Sequence, residues 1–162
     1  MKETLQEAYF RWIDGIDIKN GVNVTLTAKQ FIGAFRLDTF SLSRNIRYFT
    51  NILNRKVFGN AFKRFGKKLS MLFVNEESAV DRLHIHGIIE RPSRLSFDAF
   101  KRLIEECWKK TLFGYEHTHI INPTTFGEVV GWKSYIMKKR SKIDFSGSID
   151  LENSSCFTLS RL

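Results

Sequence analysis

The chain has 162 residues, 43% hydrophobic and 27% charged, with 26 Lys and Arg against 17 Asp and Glu for a net charge of +9. That length supports one domain with its own core, and two cysteines, Cys107 and Cys156, exclude a disulfide-framed secreted scaffold. No apolar run nears the ~18 residues of a membrane span and the first residues lack a signal-peptide core, so the expectation is an intracellular protein with no membrane span. The basic excess calls for a polyanion, nucleic acid or an anionic membrane surface; the aromatic helix spacing and the phosphodiester chemistry of the rest of the chain favour nucleic acid and no membrane.

Thr4-Leu5-Gln6-Glu7 has capping-box form and predicts a short helix to about Ile13. Residues 1–20 therefore read as an N-terminal helical extension, closed by the turn signal Asn20-Gly21. Residues 22–28 alternate apolar and polar, the pattern of a half-buried strand. Residues 34–40 suggest a short edge strand. From Ser41 or Ser43 the pattern becomes helical, with Ile46, Phe49, Leu53, Val57 and then Phe62 and Phe65 on the apolar face. Gly59 divides this helix and Gly66 ends it. Residues 41–70 carry eight basic side chains and no acidic one: Arg44, Arg47, Arg55, Lys56, Lys63, Arg64, Lys67 and Lys68. So dense a run of one sign repels itself unless a partner neutralises it. With no carboxylate interleaved for helix pairing, it reads as a phosphate-contacting surface in preference to a solvated helix face.

Residues 69–76 and 83–90 predict two strands joined by a longish loop. Pro92 closes the pair, and Ser96 caps a helix whose apolar positions are Phe97, Phe100, Leu103, Ile104, Cys107 and Trp108. Gly114 is expected to stop it. Residues 117–122 suggest a short strand. Thr125-Phe126-Gly127-Glu128 is a second capping box, opening a last helix to about Arg140. The Ser-rich residues 143–162 are expected to have no firm structure. Between residues 22 and 122 the order is β-α-β-β-α-β, which predicts an α+β, ferredoxin-like (split βαβ) antiparallel sheet. Its first and third strands would be central, two helices would cover one face, and the last helix would lie near the other.

Chemistry concentrates at two places. In His84-Ile85-His86, strand periodicity puts both imidazoles on one face, where they can hold one divalent cation with a carboxylate from the neighbouring strand. Glu76 and Glu77 both stand opposite, and register decides between them. Asn23, Thr25 and Thr27 would line the floor if their face is the histidine face. His117-Thr118-His119, beside Glu116, has the same spacing in a polar segment and reads as a surface or supporting pair. On the last helix, Lys138 and Lys139 follow Tyr135 by three and four residues and would share its face. A nearby ammonium favours phenolate and can hold a phosphate. A lone tyrosine beside Trp132 is more often packing; the lysines and the strand histidines shift the balance toward a nucleophile.

Three motifs, in this order, resemble the HUH endonuclease superfamily, in particular the rolling-circle replication initiators (Rep proteins). They are Val22-Asn23-Val24-Thr25-Leu26-Thr27, Leu83-His84-Ile85-His86-Gly87 and Trp132-Lys133-Ser134-Tyr135-Ile136-Met137-Lys138. The resemblance covers roughly residues 20–142, with the nuclease domain drawn at 21–142. It implies His84, His86 and Glu76 as metal ligands, Tyr135 as nucleophile, and Lys138 as the group that tunes or positions the phenol or phosphate. It implies Mg²⁺ or Mn²⁺ as cofactor and single-stranded or stem-loop origin DNA as partner, held by the eight basic residues of 41–70 together with Lys139. One DNA strand would be cut, its 5′ end kept on the tyrosine and a 3′ hydroxyl released. One helical tyrosine argues against a two-tyrosine mechanism. With no Gly-rich phosphate-binding loop, the expectation is an isolated nuclease domain or a small initiator that borrows a host helicase. Two alternatives compete: a single-tyrosine transposase of the same superfamily, acting as a dimer on hairpin ends, and a non-enzymatic ferredoxin-like RNA-binding module. The latter needs aromatics on the sheet surface to stack bases, where the central strands offer histidines and threonines.

Overall fold

The computed structural model describes residues 2–77, 82–137 and 147–155. Thr4 opens helix α1 (Leu5–Asp14) with a capping box, its hydroxyl accepting from the Glu7 amide while the Glu7 carboxylate accepts from the Thr4 amide. Asn20, at φ 51°, turns the chain into strand β1 (Gly21–Ala28). Residues 31–36 form a two-stranded hairpin, β2 (Phe31–Ile32) and β3 (Phe35–Arg36), turned by Gly33 at φ 58°. The single strand expected over 34–40 is therefore not formed. The Asp38 carboxylate accepts from the Ser41 amide and starts helix α2 (Thr39–Phe58) ahead of the serines, which takes Phe40 into the helix.

Helix α2 buries Ile46, Phe49, Leu53 and Val57, as the spacing predicts, and Leu42 with them. Gly59, at φ 53°, ends it and starts the six-residue α3 (Asn60–Phe65), which Gly66 closes in the left-handed conformation. The break takes α3 off the core. None of its residues is buried and Phe65 is 82% exposed, so Phe62 and Phe65 do not extend the apolar face as expected. Strands β4 (Met71–Glu77) and β5 (Leu83–Glu90) pair antiparallel. Ser96 caps helix α4 (Phe97–Lys109), which ends at Lys110 and not at Gly114. Gly114 instead begins β6 (Gly114–Ile121). A Cβ there would fall 1.9 Å from the Trp108 carbonyl oxygen, so only glycine lets the strand start against the end of α4. The Thr125 capping box opens α5 (Phe126–Ile136). Met137 is its C-cap, and residues 138–140, to which the helix is expected to run, lie outside the described residues.

The main sheet has the order β4-β5-β1-β6 with every neighbouring pair antiparallel. The first and third strands of the β-α-β-β-α-β series are central, which is the ferredoxin-like arrangement. Helices α2 and α4 cover one face, packing Phe49, Leu53, Phe100 and Trp108 against Val24, Leu26, Phe73 and Ile85. Cys107 lies in this layer, and burial pushes its thiol up to about 11. On the other face, Ile13 and Ile16 from α1 and its exit, with Ile136 and Met137 from α5, cover Leu72, Val74 and Ile88. Strand alternation gives this second face its character: β4 presents Leu72, Val74 and Glu76, and β5 presents Ile88, His86 and His84. The face thus runs from apolar under the two helices to polar at the opposite strand ends.

Residues 147–155 lie in the segment expected to have no firm structure, yet they dock along the β4 edge. Ile149 bridges Val74, the Asn75 amide donates to Ser148 O, and the Ser155 amide donates to Met71 O. Buried Asn153 donates to Ser43 O and to Asp150. The serines and asparagines that read as a polar tail instead satisfy a strand edge and turn polar groups inward.

Candidate active site

The β4–β5 register places Glu76 opposite His84 and Glu77 opposite Leu83. Cross-strand partners share a face, so Glu76 stands with the histidines and Glu77 points to the other side. Glu76 Oε2 lies 3.5 Å from His84 Nε2 and in hydrogen-bond contact with His86 Nε2. The two imidazole rings sit 5.1 Å apart at 84°. One ligand atom from each of Glu76, His84 and His86 falls within a 4.8 Å cluster, so the three form a group that could hold a metal ion. Two imidazole nitrogens and one carboxylate oxygen form a mixed donor set that suits a divalent cation.

β1 supplies the floor. Thr25 pairs with His86 and Thr27 with His84. Thr25 Oγ1 is 3.0 Å from His86 Nδ1, which orients the ring with Nε2 toward Glu76. Asn23 shares this face but lies further along β1, opposite Ile88. The β1–β6 register shifts between Leu26 and Ala28, and the Thr27 hydroxyl donates to His117 O at that irregularity. Gln30 holds the end of the sheet: its amide nitrogen donates to Ala28 O and Leu83 O, and its Oε1 accepts from the Leu83 amide at 2.8 Å. It clamps the backbone one residue before His84. Nothing in the pattern of residues 29–40 marks Gln30 for this role.

α5 brings the tyrosine. Trp132 Nε1 donates to Gly87 O at 3.0 Å, fixing the helix over β5. Tyr135 stacks on Trp132 at 5.3 Å and 17°, and meets His86 edge-on at 5.4 Å and 90°. It is 42% exposed at the cleft mouth. Lys133 Nζ donates to Asp14 O and Ile16 O, tying α5 to the C-terminal end of α1. Lys138 and Lys139, expected one turn beyond the phenol on the same helix, follow its C-cap and lie outside the described residues.

A cleft of about 960 Å³ opens over this floor, lined among others by His84, His86, Tyr135, Tyr115, His117 and His119. The second histidine pair thus shares the cleft, with His119 opposite Thr25 in register, but neither of its members belongs to the three-residue ligand cluster. The adjacent Glu116 is turned away to Lys109 at 2.9 Å, whose ammonium holds the carboxyl below its ordinary value.

The eight basic residues of 41–70 do not converge on the cleft. They lie on α2, on α3 and in the link to β4, in the layer behind the opposite sheet face. Lys63, Arg64, Lys67 and Lys68 precede Met71, which pairs with Ile89 at the end of β4 away from Glu76. Arg47 is paired with Glu152, and Lys67 lies over the Phe58 ring at 5.2 Å. No helix among the described residues is long and apolar enough to cross a membrane. Comparison of the chain with protein-family models, with curated proteins and with solved structures returns no match.

Proposed function

We propose that the chain is a metal-dependent endonuclease and strand transferase that nicks and rejoins single-stranded DNA through a tyrosine, as a replication initiator does at an origin. The observation that supports this most directly is the convergence, on one sheet face, of Glu76, His84 and His86 with the Tyr135 ring against His86. In this reading Tyr135 Oη bonds to phosphorus while the P–O3′ bond breaks. The 5′ phosphate stays on the tyrosine and the departing O3′ takes up a proton, so the reverse attack by that hydroxyl rejoins the strand. Glu76, His84 and His86 would hold Mg²⁺ or Mn²⁺, and the chemistry such an ion supplies when bound is polarisation of the phosphate oxygens. Trp132 keeps the phenol at the cleft mouth, and Thr25 keeps His86 turned toward Glu76. The edge-on contact with His86 and the stack on Trp132 leave Tyr135 little rotamer freedom, which favours a fixed line of attack.

The test incubates wild type and Tyr135→Phe with a pool of labelled single-stranded oligonucleotides and Mn²⁺. A covalent, gel-shifted product is expected for wild type alone and is lost in EDTA. The same adduct from Tyr135→Phe would move the nucleophile elsewhere. No adduct from either protein across a broad pool would remove the enzyme reading.

A further inference from the structure

Five phenylalanines among the described residues are exposed, three of them close together in the chain: Phe31, Phe35 and Phe40. Frequent phenylalanine at helix-core spacing suggests packing, but these three sit on the β2–β3 hairpin and the first turn of α2. Phe35 lines a groove of about 620 Å³ between that hairpin, α2 and the α4–β6 loop, with Phe31 on the other strand of the hairpin and Phe40 one turn before Arg44 on α2. Ile32, Phe35, Arg44, Tyr48, Lys110 and Leu112 are among its lining residues, and no carboxylate is.

The α2 wall is ordered by spacing. Phe40, Arg44 and Tyr48 recur every fourth residue and make one exposed stripe, each step rising ~6 Å along the helix. The Arg44 guanidinium lies 5.8 Å from the Phe40 ring centre, and Tyr48 is 55% exposed. Asn45, buried behind the stripe, donates to Thr111 Oγ1 and accepts from the Phe113 amide, which locks α2 to the loop that carries Lys110 and Leu112. Phe35 meets Phe113 at 6.0 Å and closes the hairpin side. The groove thus brings the aromatic side chains of Phe35, Tyr48 and Phe113 together with the cations Arg44 and Lys110. It adjoins the candidate active site across the hairpin: Gln30 and Phe31 border the histidine cleft, while Ile32 and Phe35 border the groove.

We infer that this groove binds a segment of single-stranded DNA flanking the bond held at the histidine–tyrosine cleft. The choice of ligand rests on the nickase reading; the preference for unpaired bases rests on the groove itself. Aromatic faces that stack bases, with cations tracking phosphates, favour single strands of any sequence, since duplex bases offer no free face. A second copy of the chain fits poorly, because a twofold contact would bring Arg44 and Lys110 against like charges. The inference also gives Arg44 a place apart from the other basic residues of 41–70. It is the one of the eight that lines the groove.

The experiment measures fluorescence anisotropy of a labelled single-stranded 30-mer in EDTA, so that binding is read without cleavage. Tyr48→Ala and Arg44→Gln replace exposed side chains, and thermal melts matching wild type show that each variant folds. Tyr48→Ala should weaken single-strand binding about tenfold, one base stack's worth, and Tyr48→Phe should restore it. Arg44→Gln with Lys110→Gln should flatten the log–log salt slope by about 1.4 for two lost phosphate contacts. Duplex affinity should stay within twofold throughout. Single-strand affinity within twofold of wild type in all variants would overturn the proposal. So would an unchanged DNA affinity accompanied by loss of a dimer in sedimentation, which would make the groove a self-association face. Adduct formation with Mn²⁺, measured in parallel on wild type, separates the two ideas. A groove that binds single strands while no adduct forms removes only the nickase, and an adduct with no groove effect removes only the groove.

Discussion

At the residue scale, Glu76 is the ligand that one position of register selects. A slip of one residue would put Glu77 beside the histidines and turn Glu76 to the opposite face. Manganese binding by calorimetry should therefore fall steeply in Glu76→Gln and stay within twofold in Glu77→Gln. Thr25→Val removes only the oxygen beside His86 Nδ1, and metal affinity should drop about tenfold, as for other groups that orient a ligand. Equal effects from Glu76→Gln and Glu77→Gln would mean the register is not as described. The histidine pair was readable from His-x-His in an apolar strand, and its common face follows from the period of a strand. The choice between the carboxylates was not readable, because the two stand side by side at one strand end and only the pairing of β4 with β5 decides which faces the histidines. Gln30 was equally hidden: its role comes from backbone groups distant in sequence, to which its own neighbours give no clue.

At the element scale, the helix starts followed from local chemistry and the stops did so less often. The capping boxes at Thr4 and Thr125 and the Ser96 cap are satisfied within four residues, so their signals are complete in the sequence. The end of α4 and the start of β6 depend on a close approach to the Trp108 carbonyl that only the folded chain creates. Gly114→Ala should accordingly cost about 2 kcal/mol or more in denaturant unfolding, whereas an ordinary surface change costs under ~0.5 kcal/mol; a cost in that lower range would deny the close contact. The caps also set a pH dependence. Backbone hydrogen bonds from Ser41 to Asp38, and from Thr124 and Thr125 to Glu128, hold both carboxyls below their ordinary 3.8 and 4.5. Folded values lower than unfolded ones mean the stability is present above those ordinary values and lost as pH falls through the folded values. Melting temperatures measured from pH 6 down to pH 2 should decline less steeply in Asp38→Asn/Glu128→Gln than in wild type. An identical acid limb would assign the loss to other carboxylates. Phe62 and Phe65 leave the apolar face because a helical period says nothing of whether the next helix stays on the same axis, and Gly59 turns α3 away.

At the scale of the whole molecule, the ferredoxin-like order was legible because each strand and helix carries its own period. The docking of residues 147–155 along β4 was not, because a polar segment that completes a sheet edge has no apolar pattern to show. Net charge was legible in amount but not in geometry. Lys63, Arg64, Lys67 and Lys68 lie at the end of β4 opposite Glu76 and behind the other sheet face, so their part in DNA binding would be long-range attraction. Replacing all four with Gln should lower the salt slope of DNA affinity by up to about 3, with the rate of adduct formation at saturating DNA unchanged. A slower rate at saturation would instead put them at the cleft. The most direct test of the account is to map the covalent link. Two tyrosines, Tyr135 and Tyr115, line the cleft, and only Tyr135 lies against His86. After reaction with single-stranded DNA and Mn²⁺, nuclease trimming and proteolysis, mass spectrometry should find the nucleotide on the peptide that carries Tyr135, and no such peptide when EDTA is present. A nucleotide on Tyr115, or a Tyr135 adduct that forms equally well in EDTA, would contradict the assignment of a metal-assisted tyrosine nucleophile at this site.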